Sequence, residues 1–150
     1  MTTIRTASPA ERPILTDIWL RSVRASHGFL NESDLDSLRP ATANYFQQPE
    51  LEIWVPCQGL RLVGFMCLSG AVVDALFLEP DCWRKGLGTR LLTHARCLKG
   101  PLSVNVNEQN EAAVRFYRAN GFSVSGRSEL DDAGRPFPLL HLRQEGDHRI

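Results

Sequence analysis

The chain has 150 residues, 43% hydrophobic and 23% charged, the balance of one ordinary globular domain with one sizeable core. Lys+Arg and Asp+Glu both number 17, so the formal charge is zero. The basic excess that would hold a nucleic-acid partner through phosphate attraction is absent. No apolar run is long enough to span a bilayer, and the N-terminal MTTIRTASPAERPIL lacks the apolar centre of a signal peptide. These observations predict a cytoplasmic protein without membrane partners.

The four cysteines, Cys57, Cys67, Cys82 and Cys97, are widely spread and form no CxxC pair. That spacing argues against zinc and against disulfides in a reducing compartment, so the cysteines read as small, partly buried residues and no metal is expected.

In chain order, residues 3–7 (TIRTA) read as a first strand. Ser8 and Pro9 form a helix start, with Ser8 as N-cap, and Ile14, Leu15, Ile18, Trp19 and Val23 recur at helical spacing to about residue 25. His27-Gly-Phe-Leu30 is an apolar turn. A second helix is expected over Glu32–Tyr45, with Pro40 breaking or kinking it. From Leu51 the period changes. LEIWVPC, RLVGFMCLS and VVDALFL are three strand-like runs joined by tight turns at Gln58-Gly59 and Ser69-Gly70, an antiparallel meander. Trp19 and Trp54 are assigned to the core.

The helix after Gly86 shows an apolar face of Leu87, Leu91, Leu92, Ala95 and Leu98. In the strand LSVNV, Leu102, Val104 and Val106 face one way and Asn105 the other. EAAVRFYRAN is a helix ended by Gly121. FSVSGRSEL and PFPLLHLRQ are two closing strands, joined by a turn in which Asp131 and Asp132 are formers. The tail EGDHRI is expected to fray. The resulting order, β-α-α-β-β-β-α-β-α-β-β, is of the α/β (α+β) class, with one domain over 1–150. The strand-helix-strand segment at 72–106 implies a right-handed parallel crossover, and so a mixed sheet with helices on both faces.

Two stretches carry chemistry. In CWRKGLGTRLL, a glycine turn opens a helix whose first N–H groups find no carbonyl inside it. With the helix dipole, such a turn forms an anion site suited to phosphate. Gly86 and Gly88 permit close approach, Arg84 and Lys85 add charge, and Thr89 offers a hydroxyl; the alternative is a tight turn with solvated cations. No Gly-Lys-Ser/Thr closes the loop, so it is not a P-loop, and a single Gly pair does not make a dinucleotide fingerprint. One strand later, Asn110, Ala113 and Tyr117 share a helix face. Asn110 is a candidate N-cap, roughly 10 Å along the helix from Tyr117. Tyr117 reads either as a core aromatic or as a functional phenol.

Val73-Asp-Ala-Leu-Phe-Leu-Glu-Pro-Asp, the glycine loop and Asn110-x-x-Ala-x-x-x-Tyr-x-x-x-Gly-Phe together resemble the GNAT family of N-acetyltransferases. The order of elements agrees over nearly the whole chain. Ser22-Val23, Ser26-His27-Gly-Phe-Leu and Phe137-Pro-Leu-Leu-His141-Leu are similar to one branch of that family. The family's first loop position, usually Arg or Gln, falls on Trp83, with Arg84 beside it.

The resemblance implies a mostly antiparallel mixed sheet whose parallel strand pair splays apart around acetyl-CoA as cosubstrate. Backbone groups of Leu76 and Leu78 would pair with the pantetheine arm. The amides from Arg84 through Lys85, Gly86, Leu87 and Gly88 to Thr89 would take the pyrophosphate, and the Asn110 side chain would hold the arm from the other helix. A neutral amine would then attack the thioester directly. A backbone N–H near Leu76 would face the oxyanion, and Tyr117, with an ordinary pKa of about 10, would protonate the leaving thiolate. A lysine is only about 0.04% neutral at pH 7, so a base is required; His27, Asp74 and His141 are the candidates. The acceptor would be an amine on a small molecule or a protein lysine, and a homodimer is left open. Two other functions fit the same features: a non-catalytic CoA-binding regulatory module, and toxin-like acetylation of aminoacyl-tRNA, which the balanced charge disfavours.

Overall fold

A computed structural model describes residues 2–26, 31–132 and 134–146. The expected turn at 27–30 and the last four residues of the tail lie outside the described residues. The elements are β1 (Thr2–Thr6), α1 (Arg12–Ser26), α2 (Glu32–Phe46), β2 (Glu52–Gln58), β3 (Arg61–Leu62), β4 (Gly64–Ser69), β5 (Val72–Leu78), α3 (Leu87–Lys99), β6 (Ser103–Asn107), α4 (Glu111–Ala119), β7 (Phe122–Ser128) and β8 (Leu139–Gln144). The strands form a mostly antiparallel mixed sheet with a parallel pair at β5–β6, as expected for this class. The chain divides into two compact units, Met1–Ser69 with Ala75–Leu91, and Gly70–Asp74 with Leu92–Ile150.

In the first unit the strand order is β1-β2-β4-β5, with β3 on β2. A 3-10 turn over Pro9–Glu11 precedes α1, so the α-helix proper begins at Arg12 rather than Pro9. The Ser8 N–H donates to Glu11 Oε1 at 2.9 Å, and Arg5 donates to both Glu11 oxygens at 2.8 Å. One carboxylate thereby ties β1 to the helix start. Leu15, Ile18, Trp19 and Val23 of α1 and Leu35 and Phe46 of α2 are buried with Ile53, Val55, Phe65 and Cys67. Full burial of such a side chain is worth roughly 1.5–3 kcal/mol. Ile14 departs from the expected apolar face and is 44% exposed.

Three further expectations are corrected or narrowed here. Of the break or kink expected at Pro40, the break does not occur, and α2 runs through it as one element. Asp36, whose carbonyl loses its helical donor to the proline ring, and Pro40 itself are both exposed, so water can replace the missing bond. The run RLVGFMCLS is two strands rather than one. Val63 N–H donates to Pro56 O at 3.0 Å in step with the β2–β3 register, but proline has no N–H to return, and Val63 O accepts instead from Glu79 N–H at 2.8 Å; β4 then pairs with β2 one residue out of that register. The adjacent Gly64 is required by close packing, since a Cβ there would lie 2.5 Å from Phe77 O. Trp54 is half-buried and donates its indole N–H to Glu52 Oε2 at 2.8 Å.

In the second unit the strand order is β5-β6-β8-β7. The parallel register covers Val72↔Ser103 and Val73↔Val104. Leu102, Val104 and Val106 are buried and Asn105 is exposed, the expected alternation. Along α3, Leu87, Leu91, Leu92 and Ala95 are buried, but Leu98 is 51% exposed. Gln144, buried at the end of β8, joins three elements. Its Oε1 accepts from Arg96 at 2.8 Å and from Leu102 N–H at 3.1 Å, and its Nε2 donates to Asn120 O at 3.0 Å. The turn before β8 is closed as expected by Asp131, whose Oδ1 accepts from Arg135 N–H at 2.8 Å.

A β-bulge interrupts the β7–β8 pairing. Val124 opposes Leu142, and the next pair is Gly126↔His141. The extra residue, Ser125, donates its hydroxyl to His141 O at 3.1 Å. The bulge shifts the side-chain parity of β7, so Gly126 and Ser128 emerge on the side of His141 rather than on that of Phe122.

Arg5 holds the Glu11 carboxyl down to about 2. Its contribution to stability is therefore complete above the unfolded carboxyl range near 4.5 and is lost as pH falls through about 2. Glu11→Gln should destabilise the chain at pH 7 by roughly 1–2 kcal/mol. In urea melts run at stepped pH, the gap to the wild type should narrow below pH 4.5 and close near 2.

Candidate active site

The glycine loop lies wholly in the first unit. β5 ends at Leu78, and Glu79 follows, 6% exposed. Arg21 of α1 clasps Glu79 through Nε–H to Oε1 at 2.9 Å and Nη2–H to Oε2 at 2.8 Å, while Arg61 lies 3.9 Å from it and bonds Asp81 at 3.1 and 3.2 Å. A buried carboxylate needs such partners, and here they fix where the loop departs from the strand. A 3-10 turn over Pro80–Cys82 follows. Cys82 packs with Val63, Leu87 and Leu78, so Leu87 contributes its side chain to the core and only its backbone to any anion site.

Trp83, at the family's Arg/Gln position, donates its indole N–H to Leu78 O at 3.1 Å. It straps the loop back onto the strand end and supplies a donor to the Leu78 carbonyl. Arg84 adopts a left-handed backbone, φ 62°, and Gly86 has φ 80°. At Arg84 this costs on the order of 1–2 kcal/mol. At Gly86 it demands glycine, although a Cβ there would meet nothing within 4 Å. Arg84, Lys85, Gly86 and Thr89 are exposed and Gly88 is buried. Arg90 N–H is the first to reach a helical carbonyl, Gly86 O at 3.1 Å. The amides of Leu87, Gly88 and Thr89 precede it and have none within the helix. Gly86 at the cap position has no side chain to offer them. This donor set suits a phosphate group.

Of the remaining predicted residues that the structure describes, Asp74, Asn110, Tyr117 and His141 fall in the second unit and Leu76, half-buried on β5, in the first. Asn110 is the N-cap of α4, its Oδ1 accepting from Ala113 N–H at 3.2 Å. Tyr117 is 6% exposed, its ring edge-on to Phe116 at 5.1 Å and Phe122 at 5.3 Å. The sequence reading gave this phenol its ordinary pKa; burial raises it above that range, because the phenolate would be desolvated. Asp74 is exposed. His27 lies outside the described residues.

His141 sits between two polar neighbours. Its Nδ1 is 2.6 Å from Asn105 Oδ1 on β6, directly opposite in register, and its Nε2 is 2.7 Å from Ser128 Oγ on β7. The ring packs beside Gly126, where a Cβ would stand in ordinary contact at 3.4 Å from His141 Cδ2. Sequence reasoning missed Ser128. Its signal was the isolated glycine in FSVSGRS, which marks a bulge and hence a change of face.

The family model described as "Acetyltransferase (GNAT) domain" matches residues 49–124. The peptidyl-lysine N-acetyltransferases YjaB of Salmonella typhimurium and Escherichia coli K12 are each 44% identical, over 95% of this chain and 97% of their own length. The solution structure of apo YjaB from Escherichia coli superposes with a TM-score of 0.89 at 43% identity, covering 98% of this chain and 99% of that one. The chain belongs to the GNAT family and is an N-acetyltransferase. Among the described residues no helix is long and apolar enough to cross a membrane.

The raised Tyr117 pKa has a titratable consequence. In the native state the phenol stays protonated above pH 10, whereas the unfolded chain ionises near 10; stability is therefore lost as pH rises from about 10 upward. Ultraviolet difference titration of the wild type against Tyr117→Phe should show no Tyr117 phenolate until the alkaline unfolding transition itself.

Proposed function

We propose that this enzyme transfers the acetyl group of acetyl-CoA to the ε-amine of lysine in peptides or proteins by direct attack. The observation that carries the donor half is the run of uncapped amides at the start of α3, behind the left-handed turn at Arg84 and Gly86. The acceptor half is supported by the two relatives named as peptidyl-lysine N-acetyltransferases.

In this reading the amides of Arg84 to Thr89 hold the pyrophosphate, and Arg84 and Lys85 add charge. Leu76 offers its backbone to the pantetheine arm and its N–H region to the oxyanion. Leu78 contributes its N–H, its carbonyl being engaged by Trp83. Asn110 steadies the arm from the start of α4. Tyr117 is the general acid. The phenol keeps its hydrogen through the neutral range and donates it toward the thiolate as the C–S bond breaks; burial raises its pKa and so weakens it as an acid, while a thiolate formed in the same desolvated place becomes the stronger base. No acyl-enzyme forms, so Cys57, Cys67, Cys82 and Cys97 take no part.

The test is thiol release from acetyl-CoA with a panel of lysine peptides, the product checked for acetyl-lysine by mass spectrometry. Gly86→Val should weaken acetyl-CoA binding at least roughly 10-fold, by forcing a β-branched residue into a left-handed conformation and turning the amides; a folded variant with unchanged affinity would remove the loop from the site. Tyr117→Phe should lower kcat by roughly 100- to 10,000-fold with little change in KM for acetyl-CoA. Wild-type turnover in Tyr117→Phe would assign the acid elsewhere.

A further inference from the structure

The exposed side of the second unit carries a polar row across four strands. Val73 of β5 and Val104 of β6 are paired and buried, and their successors Asp74 and Asn105 are both exposed. Asn105 opposes His141 on β8. Beyond His141, the bulge in β7 brings Ser128 to the same side, diagonal to the imidazole. The order across the sheet is Asp74, Asn105, His141, Ser128.

The hydrogen bonds give this row a polarity. Asn105 Oδ1 can only accept, so the 2.6 Å contact requires the hydrogen on His141 Nδ1. In the neutral ring Nε2 is then a lone pair, and the 2.7 Å contact requires the Ser128 hydroxyl to donate to it. The basic nitrogen of His141 is therefore covered by Ser128, and the group an incoming substrate meets is the serine oxygen. This is the arrangement of a base oriented by one neighbour and acting through another.

We propose that Ser128, His141 and Asn105 form a proton relay that deprotonates the acceptor amine, with Asp74 drawing the ammonium to the row. The proposal rests on the acetyl-transfer reading above and supplies its missing base. Before attack, one ammonium proton passes to Ser128 Oγ while the Ser128 proton passes to His141 Nε2, which frees the nitrogen lone pair. The nitrogen then forms the C–N bond to the acetyl carbon as the C–S bond breaks; the thiolate takes the Tyr117 proton, and the second proton lost by nitrogen restores Tyr117. Serine is regenerated and imidazolium remains, its Nδ1–H still held by Asn105. The proton leaves to water before the next turnover. Asn105 is a positioning residue, fixing the tautomer. The charged neighbours on the flanking strands are Arg127 on β7, paired to Glu108 at 2.6 Å, and Arg143 on β8; β6 carries no charged residue.

Two measurements on the full chain test this. Long-range imidazole ¹⁵N NMR, with His141 assigned by loss of its signals in His141→Asn, should show hydrogen on Nδ1; hydrogen on Nε2 would overturn the relay. In the peptide acetylation assay, Ser128→Ala should lower kcat roughly 100-fold with KM for acetyl-CoA within about twofold, and Ser128→Thr, which keeps the hydroxyl, should recover most of it. Asn105→Leu should move the hydrogen from Nδ1 and lower kcat together. Unchanged kcat in Ser128→Ala would overturn the relay while leaving acetyl transfer standing. Failure of the wild type to acetylate any amine would instead defeat the acetyl-transfer reading, and the ring tautomer would still decide the polarity of the row.

Discussion

The contact between Arg21 and Glu79 constrains everything that follows it in the chain. Glu79 is a carboxylate buried at the end of β5, and a buried charge persists only where its oxygens are satisfied. Arg21 reaches it with a two-pronged grip from α1, and its own N–H closes on Val63. With that residue fixed, the chain leaves the strand in one direction. The 3-10 turn, the indole strap of Trp83 and the left-handed Arg84 then deliver α3 with its first amides uncovered. The pair contributes specificity of geometry more than net stability, because desolvation offsets much of the Coulomb attraction.

The donor side and the acceptor side make different demands on the backbone. The proposed phosphate recognition uses peptide N–H groups, which any sequence supplies once the turn is right; Gly86 and the left-handed Arg84 set that turn. Proton removal needs particular side chains in a fixed order, and a sheet provides that by register. Asn105 and His141 meet because β6 and β8 pair in one register. Ser128 joins them because one additional residue in β7 reverses its parity. Shifting that register by one position would turn the row into the core.

Much of this was legible in the amino-acid order. The period change at Leu51, the cap at Asn110, the glycine pair and the spacing to Tyr117 follow from local rules that hold whatever surrounds them. The residues that escaped depend on non-local contacts. Pro40 signals a break or kink by local rules, yet the helix continues because the carbonyl it deprives, at Asp36, is exposed to water. Val63 reads as mid-strand because the one-residue register shift of β2 between β3 and β4, and the distant partner Glu79, are set by pairing between strands. The Tyr117 pKa was read as ordinary because burial among Phe116 and Phe122 is not a property of the tyrosine. Ile14 and Leu98 fit a helical period yet face solvent, since periodicity locates a stripe but not its edges.

The cysteines leave the molecule with a practical asymmetry. Cys57, Cys67 and Cys82 are buried, and burial raises the Cys57 and Cys82 thiols above their usual range. Cys97 stands exposed on α3, Leu87–Lys99, between about two and three turns along the helix from its first amides. Of its four cysteines the protein thus presents one accessible thiol, on the helix whose other end faces the proposed diphosphate. A thiol-reactive dye would have a natural single attachment point there, and a fluorescence reporter of ligand capture could be made without engineering the other three positions.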